Sequence, residues 1–258
     1  MTVLTVLASS LVAVAVLMTA TALVARAIGR VVIVDIVWGL GFVLVALVSA
    51  LVGGTAIRWW LFLLVAAWGG RLAWHVGRRV LASSEEDPRY ATLLDGRPFS
   101  YAVVRVFLTQ GAAMWFVSLP VQVAAGTGEG GWTPVIWLGS LVWAVGLVFE
   151  SVGDQQLASY RAQPKDSRPQ VMDRGLWRFT RHPNYFGDAC VWWGIWLAGV
   201  GSSWWVLATF LSPVVMTFFL LFATGAKLLE KTMMQRPGYP EYAARTSMFF
   251  PLPPRKVS

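Results

Sequence analysis

The sequence predicts an all-α protein embedded in a membrane, because its composition is apolar and its apolar runs are long. Of its 258 residues, 57% are hydrophobic and only 13% are charged, unlike the usual composition of a soluble globular domain. Apolar runs of about 20 residues can cross roughly 30 Å of hydrocarbon as helices. Lipid offers no partners to unpaired backbone groups, so such runs must be helical. We expect one integral-membrane domain over residues 1–258.

The apolar runs define seven expected transmembrane helices. Their approximate bounds are 3–24, 31–52, 59–81, 101–125, 134–157, 184–200 and 204–226. The first run has no basic residues before it and only a weak cleavage-like ending, TALVARA, so it is expected to stay in the protein as a helix.

Basic residues alternate between the connections that join these segments. The first, third and fifth connections and the C-terminal part are basic, whereas the second, fourth and sixth carry only Arg58. By the positive-inside rule, the N-terminus is expected outside and the C-terminus in the cytoplasm. The net charge of +8 then requires no nucleic-acid partner, and the basic cytoplasmic face should attract anionic lipids.

Cysteine and histidine are too scarce for a metal site. Cys190 is the only cysteine, and His75 and His182 lie on different segments without a second ligand at zinc-binding spacing. The acidic run in SSEEDPRY is more typical of a solvated loop than of a cation site. We therefore expect no metal.

Polar residues inside predicted membrane helices are costly to insert, which makes them functional candidates. Asp35 lies in the second segment, with Trp38 at i+3 on the same face. In the third segment Arg71, His75 and Arg78 share one face, and Arg71 is expected to point into the helix bundle.

The fifth segment carries a pair of acidic residues near its cytoplasmic end, Glu150 and Asp154. Like charges four residues apart repel one another, so arginines from elsewhere are expected near them. Two interpretations remain open. Ion pairs of Asp35 or Asp154 with Arg71 or Arg78 could fix the helix register. Alternatively, all these groups could line a polar cavity open to the cytoplasm, which is the simpler account.

The stretch RFTRHPNYFGD begins the sixth segment, with Pro183 suited to the first position of a helix. Free N–H groups at a helix start attract anions, and Arg181 could grip a phosphate or carboxylate with two donors. Tyr185 adds a ring that can stack. An interfacial anchor is the alternative, but Asn184 and Asp188 are not anchor residues.

GLWRFTRHPNYFGD resembles the signature of the steroid 5-alpha-reductase-like membrane family, including its bacterial branch. The resemblance continues through DIVWGLGF, EEDPRY, FLTQGAAMWFVSLPV, FESVGDQQL and YPEYAARTSMFFPLPP. It implies a seven-helix bundle in a bacterial cytoplasmic membrane. It also implies that the cytoplasmic half encloses NADPH and reduces an activated C=C bond of a lipid, such as a 3-oxo-4-ene steroid.

The resemblance also implies which residues bind the cofactor. They fall within about 71–105 and 150–258, and we expect contacts from Arg71, Asp154, Arg161, Arg181, His182, Asn184, Tyr185, Asp188, Lys227 and Tyr242. Steroid reductases hold the substrate ketone with a glutamate of the second helix and a tyrosine of the third. The nearest candidates here are Asp35 and Trp68, and an indole cannot donate a phenolic proton.

The expected reaction is a conjugate reduction, in which hydride from NADPH attacks the β-carbon and negative charge develops on the carbonyl oxygen. A donor near Asp35, Trp38 or His75 would stabilise that oxygen and supply a proton. Asp35 could do so only in its protonated form. The hydrophobic substrate is expected to enter from the membrane.

Two other functions remain open. The RHPxY core is similar to isoprenylcysteine carboxyl methyltransferases and phospholipid methyltransferases, which bind S-adenosylmethionine. That cofactor has no phosphates, so its binding would not require the six basic residues of the fifth connection. A membrane scaffold would not need Asn184 and Asp188 at a helix mouth. The sequence names neither the substrate nor the oligomeric state.

Overall fold

The computed structural model describes residues 2–127, 131–223 and 225–255, and within them the chain is helical. No β-strand occurs in these ranges, where Thr180 and Ser247 form an isolated bridge. The predicted all-α class is confirmed. The helices are α1 Val3–Ile28, α2 Ile33–Val52, α3 Ile57–Leu81, α4 Pro88–Leu94, α5 Phe99–Val117, α6 Leu119–Gly126, α7 Thr133–Ala162, α8 Pro183–Ser202, α9 Leu211–Phe218, α10 Ala226–Met233 and α11 Tyr239–Arg245.

Shorter turns complete the helical structure. A π-helical turn, Val103–Leu108, lies inside α5, and another, Phe219–Ala223, continues α9. Two 3-10 turns, Gly175–Arg178 and Trp204–Thr209, precede α8 and α9.

Each predicted membrane segment is helical, but not all are equally apolar. By length and composition α1, α2, α7 and the segment Trp204–Met233 could each cross a membrane, and a fifth span arises if α5 and α6 are taken together. The mean hydropathy of α3 is too low for a candidate span because the helix carries several arginines. That of α8 is too low because its first turns are polar. Along α1 and α7 large apolar side chains stay exposed, including Val16 at 63% and Val148 at 58%, as lipid contact requires. The prediction of a helical protein with several candidate membrane spans is confirmed.

A bend of 45° separates α5 from α6. Pro120 lies in the first turn of α6 and cannot donate a helical hydrogen bond. The N–H missing at Pro120 frees the carbonyl of Phe116, four residues earlier, and this oxygen accepts instead from Ser212 Oγ at 2.9 Å. The neighbouring carbonyl of Trp115 accepts from Ser118 Oγ at 3.0 Å and from Gln122 Nε2 at 2.8 Å. Side chains thus satisfy the broken turn, and the proline is the cause of the bend.

The chain divides into two compact units. Unit 1 comprises Met1–Trp137 with Ile195–Ser212, and unit 2 comprises Leu138–Gly194 with Pro213–Ser258. Each has its own packing and its own polar cluster, so they are described separately.

In unit 1, α2 and α3 cross with their backbones in contact at a pair of glycines. A Cβ atom on Gly39 would lie 2.5 Å from the Gly69 carbonyl oxygen, and one on Gly69 would lie 2.6 Å from the Gly39 oxygen. Small residues permit this close approach. Phe42 and Trp68 are fully buried beside the crossing, with ring centres 5.5 Å apart. The crossing fixes the orientation of Asp35, one turn before Gly39.

In unit 2, α7 and α8 cross in the same way. A Cβ atom on Gly187 would lie 2.5 Å from the carbonyl oxygen of Gly146, and one on Gly153 would lie 3.1 Å from the Pro183 ring. The acidic residues of α7 are buried, Glu150 at 3% and Asp154 at 8% exposure. This crossing places the end of α7 against the first turn of α8, where the RHPNY motif lies.

Candidate functional site

The polar cluster of unit 1 is built around Asp35. Tyr90 donates its hydroxyl hydrogen to Asp35 Oδ1 at 2.6 Å, and Arg89 Nη2 donates to Asp35 Oδ2 at 2.7 Å. Gln110 Nε2 donates in turn to the Tyr90 hydroxyl at 3.2 Å. Both carboxylate oxygens of Asp35 therefore accept from neighbours, one of them cationic. In this cluster the Tyr90 hydroxyl is the donor and the Asp35 carboxyl is the acceptor.

Helix α4 carries Arg89 and Tyr90 to this position. Asp87 caps the helix by accepting from the Arg89 backbone N–H at 2.9 Å, and Pro88 occupies the first turn. Arg89 Nε donates to Asp87 at 2.9 Å, and this bond holds the pKa of Asp87 below its usual value. Burial, together with the nearby charge of Asp35, raises the pKa of Tyr90, so the phenol keeps its proton at neutral pH.

The loop before α4 is tied to the start of α2. Glu86 accepts from the backbone N–H groups of Val31, at 2.5 Å, and Val32, at 3.0 Å, which satisfies donors that a helix start leaves unpaired. Our expectation of a solvated acidic loop therefore holds for Glu85, which is exposed, but is wrong for Glu86 and Asp87, which are partly buried.

The other residues expected near the substrate lie on α2 and α3. Trp38 is half-buried and packs edge-on against Phe42, with ring centres 5.0 Å apart. His75 is half-buried on α3, as is Arg71 one turn before it. Trp68 is completely buried, so it belongs to the packed helix crossing.

Sequence reasoning missed three members of this cluster: Arg89, Tyr90 and Gln110. A signal for the first two was present in DPRY, where aspartate followed by proline marks the start of a helix. A helix beginning there places Tyr90 in its first turn and not in an open loop. Gln110 lies inside the expected segment 101–125, so the cost of a polar residue in a membrane helix was a signal that could have found it.

The polar cluster of unit 2 is built around Glu230, which sequence reasoning also missed. Arg181 forms two bonds to its carboxylate, from Nε at 2.6 Å and from Nη2 at 2.8 Å. Nη1 of the same guanidinium donates to the backbone oxygens of Ala243, at 2.8 Å, and Thr246, at 2.6 Å. His182 Nε2 lies 3.2 Å from Glu230 Oε1. The pair joins the start of α8 to α10 and to the C-terminal segment.

This pair is largely removed from water, with the Arg181 side chain 10% exposed and that of Glu230 14% exposed. Burial works against the charge of Arg181, but the hydrogen bond and the negative charge of Glu230 outweigh it and raise the arginine pKa. Arg181 was predicted to grip a phosphate. Here Glu230 and two carbonyl oxygens already engage its donors, so a phosphate would have to displace the carboxylate.

Asn184 and Asp154, which are both expected to contact the cofactor, lie next to each other. Asn184 Nδ2 donates to Asp154 Oδ1 at 3.1 Å, and Asn184 Oδ1 accepts from the Tyr185 backbone N–H at 3.1 Å. The Tyr185 ring stacks on His182, with centres 5.4 Å apart and planes 4° from parallel. Asp188, one turn further along α8, is 8% exposed. The structure thus brings most of the predicted RHPNY residues together with the acidic end of α7.

The remaining predicted cofactor residues have separate settings. Tyr242 is 2% exposed and donates to the Trp177 carbonyl oxygen at 2.5 Å, so it anchors α11. Lys227 is exposed, with its ammonium nitrogen 4.3 Å from the centre of the Phe222 ring. Arg161 is exposed at the end of α7. Their contacts with a cofactor remain predictions.

Unit 2 offers charge that suits a polyanionic cofactor. Four basic residues at the end of α7 or between α7 and α8 are exposed: Arg161, Lys165, Arg174 and Arg178. Such groups can reach phosphates, and the Asn184 amide with the Tyr185 ring can contact a ribose or a base. The residues fit a dinucleotide in charge and polarity, except that Arg181 is engaged by Glu230.

The comparison with protein families gives one match. A family described as "Protein of unknown function (DUF1295)" matches residues 21–246. No curated protein and no solved structure matches the chain. The matched region contains every residue of both polar clusters.

Proposed function

The chain belongs to the DUF1295 family, and from that premise we propose that it is an NADPH-dependent membrane reductase. Its substrate would be a hydrophobic enone, a lipid or steroid-like molecule that enters from the membrane and is reduced at its activated C=C bond. The observation that supports this most is the hydrogen bond from the Tyr90 phenol to Asp35. A tyrosine held by an acidic residue is the donor that the resemblance to steroid 5-alpha-reductases implies but that Trp68 cannot supply.

The roles of the residues follow from this geometry. NADPH, when bound, would supply a hydride to the β-carbon of the enone. Tyr90 would donate a hydrogen bond to the substrate carbonyl oxygen, where negative charge develops, and then a proton. Asp35 would position the phenol, and Arg89 would fix Asp35 by bonding its second carboxylate oxygen. The proton donor is thus assigned to Tyr90, and Asp35 need not be protonated.

Asn184, Asp154 and Tyr185 would provide polar contacts to the cofactor, and the exposed basic residues would provide charge. A methyltransferase that binds S-adenosylmethionine is the second candidate. The bond between Arg181 and Glu230 favours it, because an engaged guanidinium removes one of the expected phosphate ligands.

Calorimetric titration of the detergent-solubilised protein with NADPH, NADH and S-adenosylmethionine distinguishes these candidates. We expect NADPH to bind more tightly than NADH, and its affinity to fall with salt as the basic residues are screened. Asn184→Ala should weaken NADPH binding by about 1–3 kcal/mol, because a polar partner is left unpaired. The exposed amide of Gln163 provides the control, and Gln163→Ala should leave the affinity unchanged.

The same titration can also contradict the proposal of a reductase. S-adenosylmethionine is nearly neutral overall, so its binding should depend little on salt. Tight binding of S-adenosylmethionine, together with no heat of binding for NADPH, would establish the methyltransferase. If Asn184→Ala and Gln163→Ala lost the same NADPH affinity, Asn184 would not be a cofactor ligand.

We further propose seven membrane spans, adding α3 and α8 to the five candidate spans, in a bacterial cytoplasmic membrane with the N-terminus outside. Trp132, which is 59% exposed, then lies outside the cell, and Ser167 lies in the cytoplasm. In a Cys190→Ala background, Trp132→Cys should react with a membrane-impermeant maleimide on intact spheroplasts. Ser167→Cys should react only after lysis. The opposite labelling pattern would invert the orientation.

A further inference from the structure

A second feature of unit 1 is a cavity of about 300 Å³, here called the α1–α5 cavity. It is lined by the last turn of α1, by α4 and by the first turn of α5, and its walls include Arg26, Tyr90, Leu94, Arg97, Phe99 and Ala102. Charged and apolar side chains therefore face the same space.

The cavity lies at the level expected for lipid headgroups. Helix α1 has 26 residues and at about 1.5 Å per residue extends on the order of 39 Å, longer than the roughly 30 Å hydrocarbon core. Arg26 is in its last turn. Phe99 begins α5, the first part of the bent candidate span. The polar ends of two candidate spans thus border the cavity.

The charges of the lining favour an anion. Arg26 and Arg97 are exposed, and the Arg97 guanidinium is positioned 5.2 Å from the centre of the Tyr101 ring. Glu86 also lines the cavity, but its carboxylate accepts from the Val31 and Val32 N–H groups at the start of α2. Two guanidinium groups against one engaged carboxylate leave the lining positive.

We propose that the α1–α5 cavity binds one anionic phospholipid. Arg26 and Arg97 hold its phosphate, and Leu94, Phe99 and Ala102 contact the first part of an acyl chain. This combination of cationic and apolar walls fits an amphiphile better than a free phosphate, which would leave the apolar wall without a partner. The cavity shares Tyr90 with the Asp35 cluster, but the proposal is argued from the two arginines and the apolar wall and does not require the proposed reaction.

Native mass spectrometry of the detergent-solubilised full chain tests the site, with phosphatidylglycerol, phosphatidylcholine and glycerol phosphate as probes. We expect one phosphatidylglycerol to bind more tightly than either other probe. Arg26→Gln and Arg97→Gln should each weaken it about fivefold, the effect of roughly 1 kcal/mol per basic residue near anionic lipid. Arg105 is exposed on α5 and outside the lining, so Arg105→Gln is the matched control and should have no effect.

Three results would overturn the proposal. Equal binding of phosphatidylcholine would show that the charge of the headgroup is not recognised. Glycerol phosphate bound as tightly as phosphatidylglycerol would identify a site for soluble phosphates. Equal weakening in the Arg105→Gln control would indicate diffuse attraction to a basic face. The first two results are measured on the unaltered chain with different probes, so they can be obtained even if a variant fails to fold.

Discussion

Replacing Tyr90 with phenylalanine should lower the rate of enone reduction by about 10²–10³-fold, the usual effect of losing one donor to a developing oxyanion. The phenol hydroxyl is the only group removed, and in the free protein it donates to Asp35 at 2.6 Å. Ring packing is kept, so substrate affinity should change much less than turnover. The measurement is the loss of NADPH absorbance with a 3-oxo-4-ene steroid and a long-chain enone as probes.

Tyr101 offers the matched control, because its ring packs under Arg97 and its hydroxyl is outside the Asp35 cluster. Tyr101→Phe should keep full activity, and thermal unfolding of both variants separates a catalytic loss from a folding defect. Turnover by Tyr90→Phe at the unaltered rate would exclude Tyr90 as the donor.

Helix positions were predictable because the apolar runs are long and Gly or Pro separates several of them. All seven expected segments are helical, although α1 and α7 extend several residues past their expected ends. Hydropathy alone did not decide whether α3 and α8 span the membrane. The arginines of α3 and the polar first turns of α8 lower the mean hydropathy of these two helices. The bend at Pro120 was not predicted, because the Ser212 hydroxyl that bonds the freed Phe116 carbonyl is 96 residues away in the chain.

The parts of the clusters that lie within one motif were predictable, and their distant partners were not. Asn184 and Tyr185 belong to one stretch, and its resemblance to the reductases also brought in Asp154. Glu230, however, is 49 residues from Arg181, and nothing in its local sequence marks it as a partner. From the sequence, Arg181 at a helix start therefore predicted binding of a cofactor phosphate. In the structure its partner is the Glu230 carboxylate of α10.

The two clusters also differ in how they hold their charges. Arg89 is about half exposed, with 52% of its side-chain surface accessible, so its pair with Asp35 contributes little to stability by itself and acts mainly to position Tyr90. The pair of Arg181 and Glu230 is mostly buried and bonded at almost every donor. Its loss should therefore affect folding more than chemistry.

Glu230→Gln should destabilise unit 2 by about 3 kcal/mol, because the buried Arg181 loses the charge that compensates its burial. For a chain of this size such a loss corresponds to a fall in Tm on the order of 5–10 °C, measured by tryptophan fluorescence in mild detergent. Glu241 is exposed on α11, and the control Glu241→Gln should shift Tm by less than about 1 °C, as expected of a surface change.

A double-variant cycle then assigns the effect to the pair. Arg181→Met should destabilise about as much as Glu230→Met, and the double variant should recover much of the loss, because two apolar side chains can replace a buried ion pair at little cost. NADPH titration of Glu230→Gln provides the opposing test. If Arg181 were held back from a phosphate by Glu230, the variant would bind NADPH more tightly at an unchanged Tm. That result would contradict the structural role and make Arg181 a cofactor ligand.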